Sequence, residues 1–244
     1  MHPDKSPGPD GMNPCFFQKF WSVVGLDMFQ LCNHFLLHGS FPTALNETLL
    51  ILIPKKKQVE SMSDLRPIAL CNVAYKILAK LLANRLKRLL PGIIYKCQGA
   101  FICGRSIIDN VMLAFEISHS MHQKRSKRNG LAALKLDISK VYDRVEWGFL
   151  KAIMLRMGFN ETWVDRIMFC VSRVSYTVCH NSEPIGSVVP QRGLKQAHPL
   201  SPYLFILCAE GLSSLLQAKV DQGMIHGYSV ARNSPQISHP FFCR

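Results

Sequence analysis

The stretch Leu134–Trp147, LKLDISKVYDRVEW, constrains this chain more than any other. The run Leu131–Ile138 has the composition of an apolar strand and carries one carboxylate, Asp137, near its end. A carboxylate in that place is costly to bury unless a cation or hydrogen-bond donors meet it. From these residues two readings stay open. Asp137 can hold a hard divalent cation such as Mg²⁺ through oxygen, or it can satisfy nearby backbone donors. Five residues on stands an aromatic, Tyr142. Asp143, three residues before Glu146, has the spacing of a helix N-cap with its capping-box partner. The helix that follows would carry Trp147, Leu150, Ile153, Met154 and Met157 on one face. The unit therefore reads strand, acid, turn, aromatic, helix.

A chain of 244 residues that is 48% hydrophobic can bury a full core, as one large domain or two lobes. Its 29 Lys and Arg against 16 Asp and Glu leave a formal charge of +13. That surplus fits either a polyanionic partner or a basic surface with none. No run reaches the roughly 18 uncharged apolar residues of a membrane span. The first residues, MHPDKSPGPDG, are polar and turn-rich, unlike a signal peptide. An intracellular protein, nuclear or cytoplasmic and without membrane attachment, is expected. The nine Cys form no C-x-x-C pair, and several lie in apolar runs, as reduced core thiols do. Zinc is not expected.

In chain order, SPGPDG at Ser6–Gly11 is a stiff turn segment, and a helical pattern from Phe16 to His38 stops at Gly39. Leu49–Pro54, LLILIP, reads as a short strand stopped by proline, with Lys55, Lys56 and Lys57 directly after it. Asn72–Leu90 is a broad amphipathic helix closed by Pro91-Gly92. In QGAFICGRSIIDN, Gln98–Asn110, Gly-Arg-Ser opens a helix and brings free N–H groups and Arg105 to one place, a potential anion site. The basic run Lys124–Arg128 reads as a solvated loop. Val174–His180 and Ile185–Pro190 read as paired strands joined at Asn181-Ser182. Arg192–Phe205, RGLKQAHPLSPYLF, opens a long apolar helix to about Val220, and Ile225–Ala231 with Ile237–Phe242 has the look of a hairpin.

Three of these blocks, LDISKVYDRVEW, QGAFICGRSIIDN and RGLKQAHPLSP, together with DLRPIAL and YKILAKLLANRL, resemble in order the reverse transcriptase domain of LINE-type (non-LTR) retrotransposons of plants. Group II intron maturases share the plan but resemble these blocks less. The resemblance implies an α+β fold: the fingers and palm of a right-hand polymerase, with an antiparallel palm sheet backed by helices and the thumb absent. It implies fingers and the first part of the palm over residues 1–130, and palm over 131–244, truncated at its C-terminal end. Its reaction is RNA-directed DNA synthesis by two-metal nucleotidyl transfer. Its partners are an RNA template, the RNA–DNA hybrid and deoxynucleotides; oligomeric state is left open.

Carried over residue by residue, Asp137 is the catalytic acid and, with the Ile138 carbonyl, ligates Mg²⁺. Tyr142 packs against the sugar of the incoming nucleotide, and Gln196 lies on the loop beneath it. Arg66 is the phosphate ligand of the fingers. Lys55, Lys56 and Arg105 face nucleic acid. The chain departs from the pattern at Val141, where a small residue is usual, and at Ala197 and His198, where glycine and an acid are usual; His198 reads as a substituted surface residue. In the family a segment like ISHPFF continues into the second acid motif, where this chain reads Phe241, Phe242, Cys243 and Arg244. Asp143 is assigned to the helix cap. A domain lacking that second motif is expected to be inactive. The alternatives are a non-catalytic RNA- or DNA-binding remnant and a pseudogene product.

Overall fold

Branched and long aliphatic residues in unbroken succession, Leu49–Ile53, form the strand around which the sheet is built. The computed structural model describes residues 1–123, 130–138, 140–180, 183–231 and 234–239, with His180 as backbone alone. Its regular elements are α1 (Pro14–Lys19), α2 (Trp21–His38), β1 (Glu47–Pro54), β2 (Leu65–Cys71), α3 (Val73–Ile93), α4 (Ile107–Gln123), α5 (Trp147–Arg156), α6 (Glu161–Ser172), β3 (Ser175–His180), β4 (Glu183–Val188) and α7 (Ser201–Asp221). They fall into two units, residues 1–85 with 140–205, and residues 86–139 with 206–244.

The first unit holds a four-stranded sheet in the order β2-β1-β3-β4. The β1–β2 and β3–β4 pairs are antiparallel, whereas β1 and β3 run parallel, with Leu49 opposite Thr177. The expected β3–β4 pairing is present, but the sheet is mixed rather than antiparallel throughout. Its helices pack through aromatic residues: Phe41 lies 5.3 Å from Phe35, 5.0 Å from Phe169 and 5.7 Å from Tyr75, between ring centroids. The N-terminal turn is latched by Asn72, whose side chain accepts from the Asp10 N–H and donates to the carbonyls of Ala44 and Leu45. Gly8 meets this residue so closely that a β-carbon would sit 2.3 Å from the Asn72 nitrogen.

Four sequence expectations are corrected. Leu131–Ile138 forms no strand and is exposed throughout, Leu134 at 82%. A strand exists through its ladder, and no described strand pairs with this segment. The helix α3 continues through Pro91 to Ile93. A proline in the last turn removes one bond, and the Ile94 N–H still donates to the Leu90 carbonyl. Asp143 does not cap α5: it lies in a 3-10 turn, Val141–Arg144, and Glu146 holds the cap position without a side-chain bond. Among the described residues, the expected 225–231 and 237–242 hairpin shows one bridge, Tyr228 with Ile237. The expectations placed on Lys124–Arg128, Asn181-Ser182, Pro240 and Phe241–Arg244 lie outside the described residues.

In the second unit, α4 starts as expected, with Ser106 Oγ accepting from the Ile108 N–H. Among the described residues, α7 is the one helix long and apolar enough to cross a membrane; it also buries Leu204, Ile206 and Leu207 within the protein.

Candidate nucleotide and nucleic-acid site

Two loops of the first unit meet main chain to main chain. The Leu194 N–H donates to the Tyr142 carbonyl and the Gly193 N–H to the Val145 carbonyl, both at 2.8 Å. The Trp147 indole N–H returns a bond to the Gly193 carbonyl at 2.8 Å. Gly193 permits this approach, since at φ +91° a β-carbon would lie 3.1 Å from the Asp143 carbonyl oxygen. Side chains follow: Gln196 Nε2 donates to Asp143 Oδ1 at 3.2 Å, and Arg192 pairs with Glu146 at 3.1 Å on the surface. The Tyr142 ring, half-buried, packs 5.4 Å from Phe205. Tyr142 and Gln196, expected at one nucleotide site from separate blocks, are thus on loops bonded to each other.

Beneath this surface lies a buried polar cluster that the sequence did not announce. The Lys195 ammonium donates to Asn46 Oδ1, to the Asn46 carbonyl and to Thr48 Oγ1, and lies 4.3 Å from the centre of the Tyr75 ring. Asn46 Nδ2 in turn donates to the carbonyls of Cys170 and Arg173, and the Tyr75 hydroxyl also bonds the Cys170 carbonyl. Burial lowers the Lys195 pKa to about 8, with the Cys71 and Cys170 thiols pulling the other way. His198 corrects another expectation, for it is buried rather than a surface residue. Its ring stacks on Tyr75 at 5.0 Å, and its Nε2 has no hydrogen-bond partner among the described residues. Burial first, then the cations Lys195 and Lys76, push its pKa well below the ordinary imidazole value. Between them Ala197 takes a left-handed φ of +61°. A glycine would take this backbone conformation without the strain a β-carbon brings.

In the fingers region, Asp64 organises the basic loop. Its carboxylate accepts from the N–H groups of Glu60 and Ser61, each at 3.1 Å, and pairs with Lys56 at 3.1 Å. The Glu60 N–H chiefly, with Lys56 and Ser61, holds its pKa below the usual carboxylate value. Lys55 Nζ donates to the Ser63 carbonyl at 2.8 Å. Lys55 and Lys56 thus shape the loop while remaining exposed. Arg66 is exposed on β2, opposite Ile53 of β1.

In the second unit, Arg105 is bonded to the main chain. Its guanidinium donates to the carbonyls of Tyr95 (2.6 Å), Gln98 (2.9 Å), Ile94 (2.9 Å) and Pro91 (3.3 Å). It closes the C-terminal end of α3, where orphan carbonyls need donors. Glu210, buried, adds a bond from the Tyr95 N–H.

Asp137 and Ile138 are exposed residues of the irregular segment 130–138. Among the described residues, no group of three His, Cys, Asp or Glu side chains could hold a metal ion. One carboxylate and one carbonyl leave most of the six Mg²⁺ positions unfilled. The described residues therefore do not fit the expected Mg²⁺ site.

Residues 53–229 match the family model described as reverse transcriptase (RNA-dependent DNA polymerase). The chain belongs to the reverse transcriptase family, and its α+β architecture with a four-stranded sheet agrees with the fingers and palm of that class. Within it, the chain is similar to proteins of non-LTR retrotransposons. It is 31% identical over 220 residues to the transposon TX1 uncharacterized 149 kDa protein of Xenopus laevis, covering 90% of this chain and 17% of that protein. It is 30% identical over 199 residues to the Pol polyprotein of the type-1 retrotransposable element R2 of Nasonia vitripennis, covering 81% of this chain and 18% of the polyprotein. A 76-residue segment is 49% identical to an uncharacterized mitochondrial protein of Arabidopsis thaliana, covering 28% of this chain and 62% of that protein. The chain thus spans about a fifth of the TX1 and R2 relatives' own length.

Proposed function

We propose that the chain is the nucleotide- and template-binding part, fingers and adjoining palm, of an RNA-directed DNA polymerase of the LINE type found in plants. The reaction assigned is nucleotidyl transfer, in which a primer 3′-hydroxyl attacks the α-phosphorus of a deoxynucleotide and pyrophosphate leaves. The observation that carries this reading is the docking of Tyr142–Trp147 on Gly193–Gln196, through main-chain bonds at 2.8 Å. It joins the aromatic proposed to meet the sugar with the glutamine proposed to lie under the base. Arg66 is the proposed phosphate ligand, since a guanidinium binds phosphate by two bonds at once. Lys55 and Lys56 contribute positive charge along the template, and the net +13 favours RNA and RNA–DNA hybrid. An intracellular setting follows from that template.

We propose further that a polypeptide of these 244 residues binds nucleic acid without extending a primer. Asp137 is the one family acid it carries, with Ala197, His198, Cys243 and Arg244 at positions where the pattern differs. Gel-shift titration against RNA and RNA–DNA hybrid should show sequence-tolerant binding that fades steeply between low and physiological salt. Absence of binding by the folded protein at low salt would remove the template reading. Primer extension on an RNA template with Mg²⁺ or Mn²⁺ should stay at background. Extension that Asp137→Ala abolishes would overturn the second proposal.

A further inference from the structure

The loop Gly193–His198 is held from two sides. Its outer side bonds Tyr142, Asp143, Val145 and Trp147, as described above. From its inner side one side chain, Lys195, reaches through to β1. All three ammonium hydrogens have acceptors there: Asn46 Oδ1, the Asn46 carbonyl at 3.5 Å and Thr48 Oγ1 at 3.1 Å. Asn46 is itself fixed to the end of α6, through the carbonyls of Cys170 and Arg173. The position next to Lys195 is Gln196, the side chain proposed to meet the nucleotide. No acidic side chain forms a described ion pair with Lys195. The groups facing it and its neighbour His198 are Tyr75 and Lys76 on α3, Cys71 on β2, Cys170 on α6 and Tyr176 on β3. The tether is therefore a buried cation satisfied by neutral acceptors and an aromatic face.

We propose that Lys195 is a positioning residue for the nucleotide site, tethering the loop that carries Gln196 to Asn46 and Thr48 so that it stays docked on Tyr142. This rests on the nucleotide-site reading given above. A tether of this kind has a pH signature. Docked, the ammonium loses its proton near pH 8; released to solvent, it regains the ordinary lysine value of 10.5. Between those values the released loop binds more protons than the docked one, so docking strengthens as pH rises. Burial of the amine alone gives that trend, so the positioning role is read from the loop amides and the nucleotide affinity together.

Hydrogen exchange on the 244-residue chain, read at the Gly193 and Leu194 amides and corrected for intrinsic rates, tests this. In the wild type, protection should rise from pH 7 to pH 9.5. In Lys195→Met it should fall about tenfold, the equivalent of one lost hydrogen bond, and lose its pH trend. The Leu78 and Leu82 amides of α3 should hold. Deoxynucleoside triphosphate affinity, by equilibrium dialysis, should fall by a similar factor. Unchanged Gly193 and Leu194 protection in Lys195→Met overturns the proposal. If that variant unfolds, Thr48→Val removes one acceptor and should lower the same two amides, with Thr48→Ser restoring them; no change in Thr48→Val overturns it equally. Failure of the wild type to bind nucleotide, with the amide pattern intact, overturns the nucleotide-site reading. Normal affinity in a variant with a loosened loop overturns the role of Lys195 alone.

Discussion

The Leu194 amide donates to the Tyr142 carbonyl at 2.8 Å, joining loops that lie far apart in the chain. With the Gly193–Val145 bond, it fixes the two loops by main-chain groups, independently of the exposed side chains around them. Substitutions at exposed positions of the second loop should therefore act locally.

Ala197 is the sharpest case. It is exposed and held at φ +61°, a conformation that an L-residue with a β-carbon resists by about 1–2 kcal/mol. Glycine escapes that penalty but gives back part of it through the freer unfolded chain. Ala197→Gly should raise unfolding free energy by about 1 kcal/mol, seen as a higher urea midpoint at unchanged slope. A lower midpoint would mean that the left-handed backbone is not what this position demands.

Gly8 tests the latch at the other end of the first unit. A β-carbon there would lie 2.3 Å from the Asn72 nitrogen, too close for either backbone to ignore. Gly8→Ala should release the N-terminal turn from Asn72 and destabilise the protein by about 1–3 kcal/mol. Limited proteolysis should then cut within Ser6–Gly11 sooner than in the wild type. Equal cutting rates would show that the contact does not hold the turn.

Arg105 separates a structural from a binding role. With four carbonyl acceptors, Arg105→Ala should cost about 2 kcal/mol or more, since several acceptors lose a charged donor together. The salt slope of RNA binding, measured by gel shift at several ionic strengths, should keep its value, because no phosphate contact is lost. A slope shallower by about one unit with stability unchanged would instead support the expected role as a nucleic-acid contact.

Much of the architecture was legible where local pattern and punctuation agree. The helix α2 stops at Gly39, which takes a left-handed φ of +77°, and Leu49–Pro54 is a strand because its aliphatic run ends in proline. The helix α6 carries its own signals, with Asn160 as cap and Val164, Ile167 and Cys170 spaced to share a buried face. The strand expected at Leu131–Ile138 rests on composition alone, and composition supplies no pairing partner. The site was legible as blocks, with Tyr142 and Gln196 in two of them. Its support was not. Lys195 and His198 look like surface residues in RGLKQAHPLSP, and only the surrounding Tyr75, Asn46 and Thr48 make them interior. Asn46, which ends a short 3-10 turn before β1, is likewise made interior only by its surroundings.

His198 turns that burial into a measurable pH dependence. Its ring is packed on Tyr75, faces Lys195 and Lys76, and is held neutral with its pKa well below 6.5. The unfolded chain takes up a proton near the ordinary value of 6.5, while the folded state does not until the pH is far lower. In that window the unfolded state binds more protons, so stability falls as pH falls, by at most about 1.4 kcal/mol per unit for one such group. Other histidines and carboxylates also titrate on acidification, so the quantity to follow is the difference between wild type and His198→Asn. That difference should be flat from pH 7 to 8. Below pH 6.5 it should move steadily against the wild type, as urea midpoints at successive pH values would record. A difference that stays flat to pH 5 would place His198 in a site that accepts the charged ring, and with it would go the picture of Lys195 and His198 as two basic groups confined on one tyrosine.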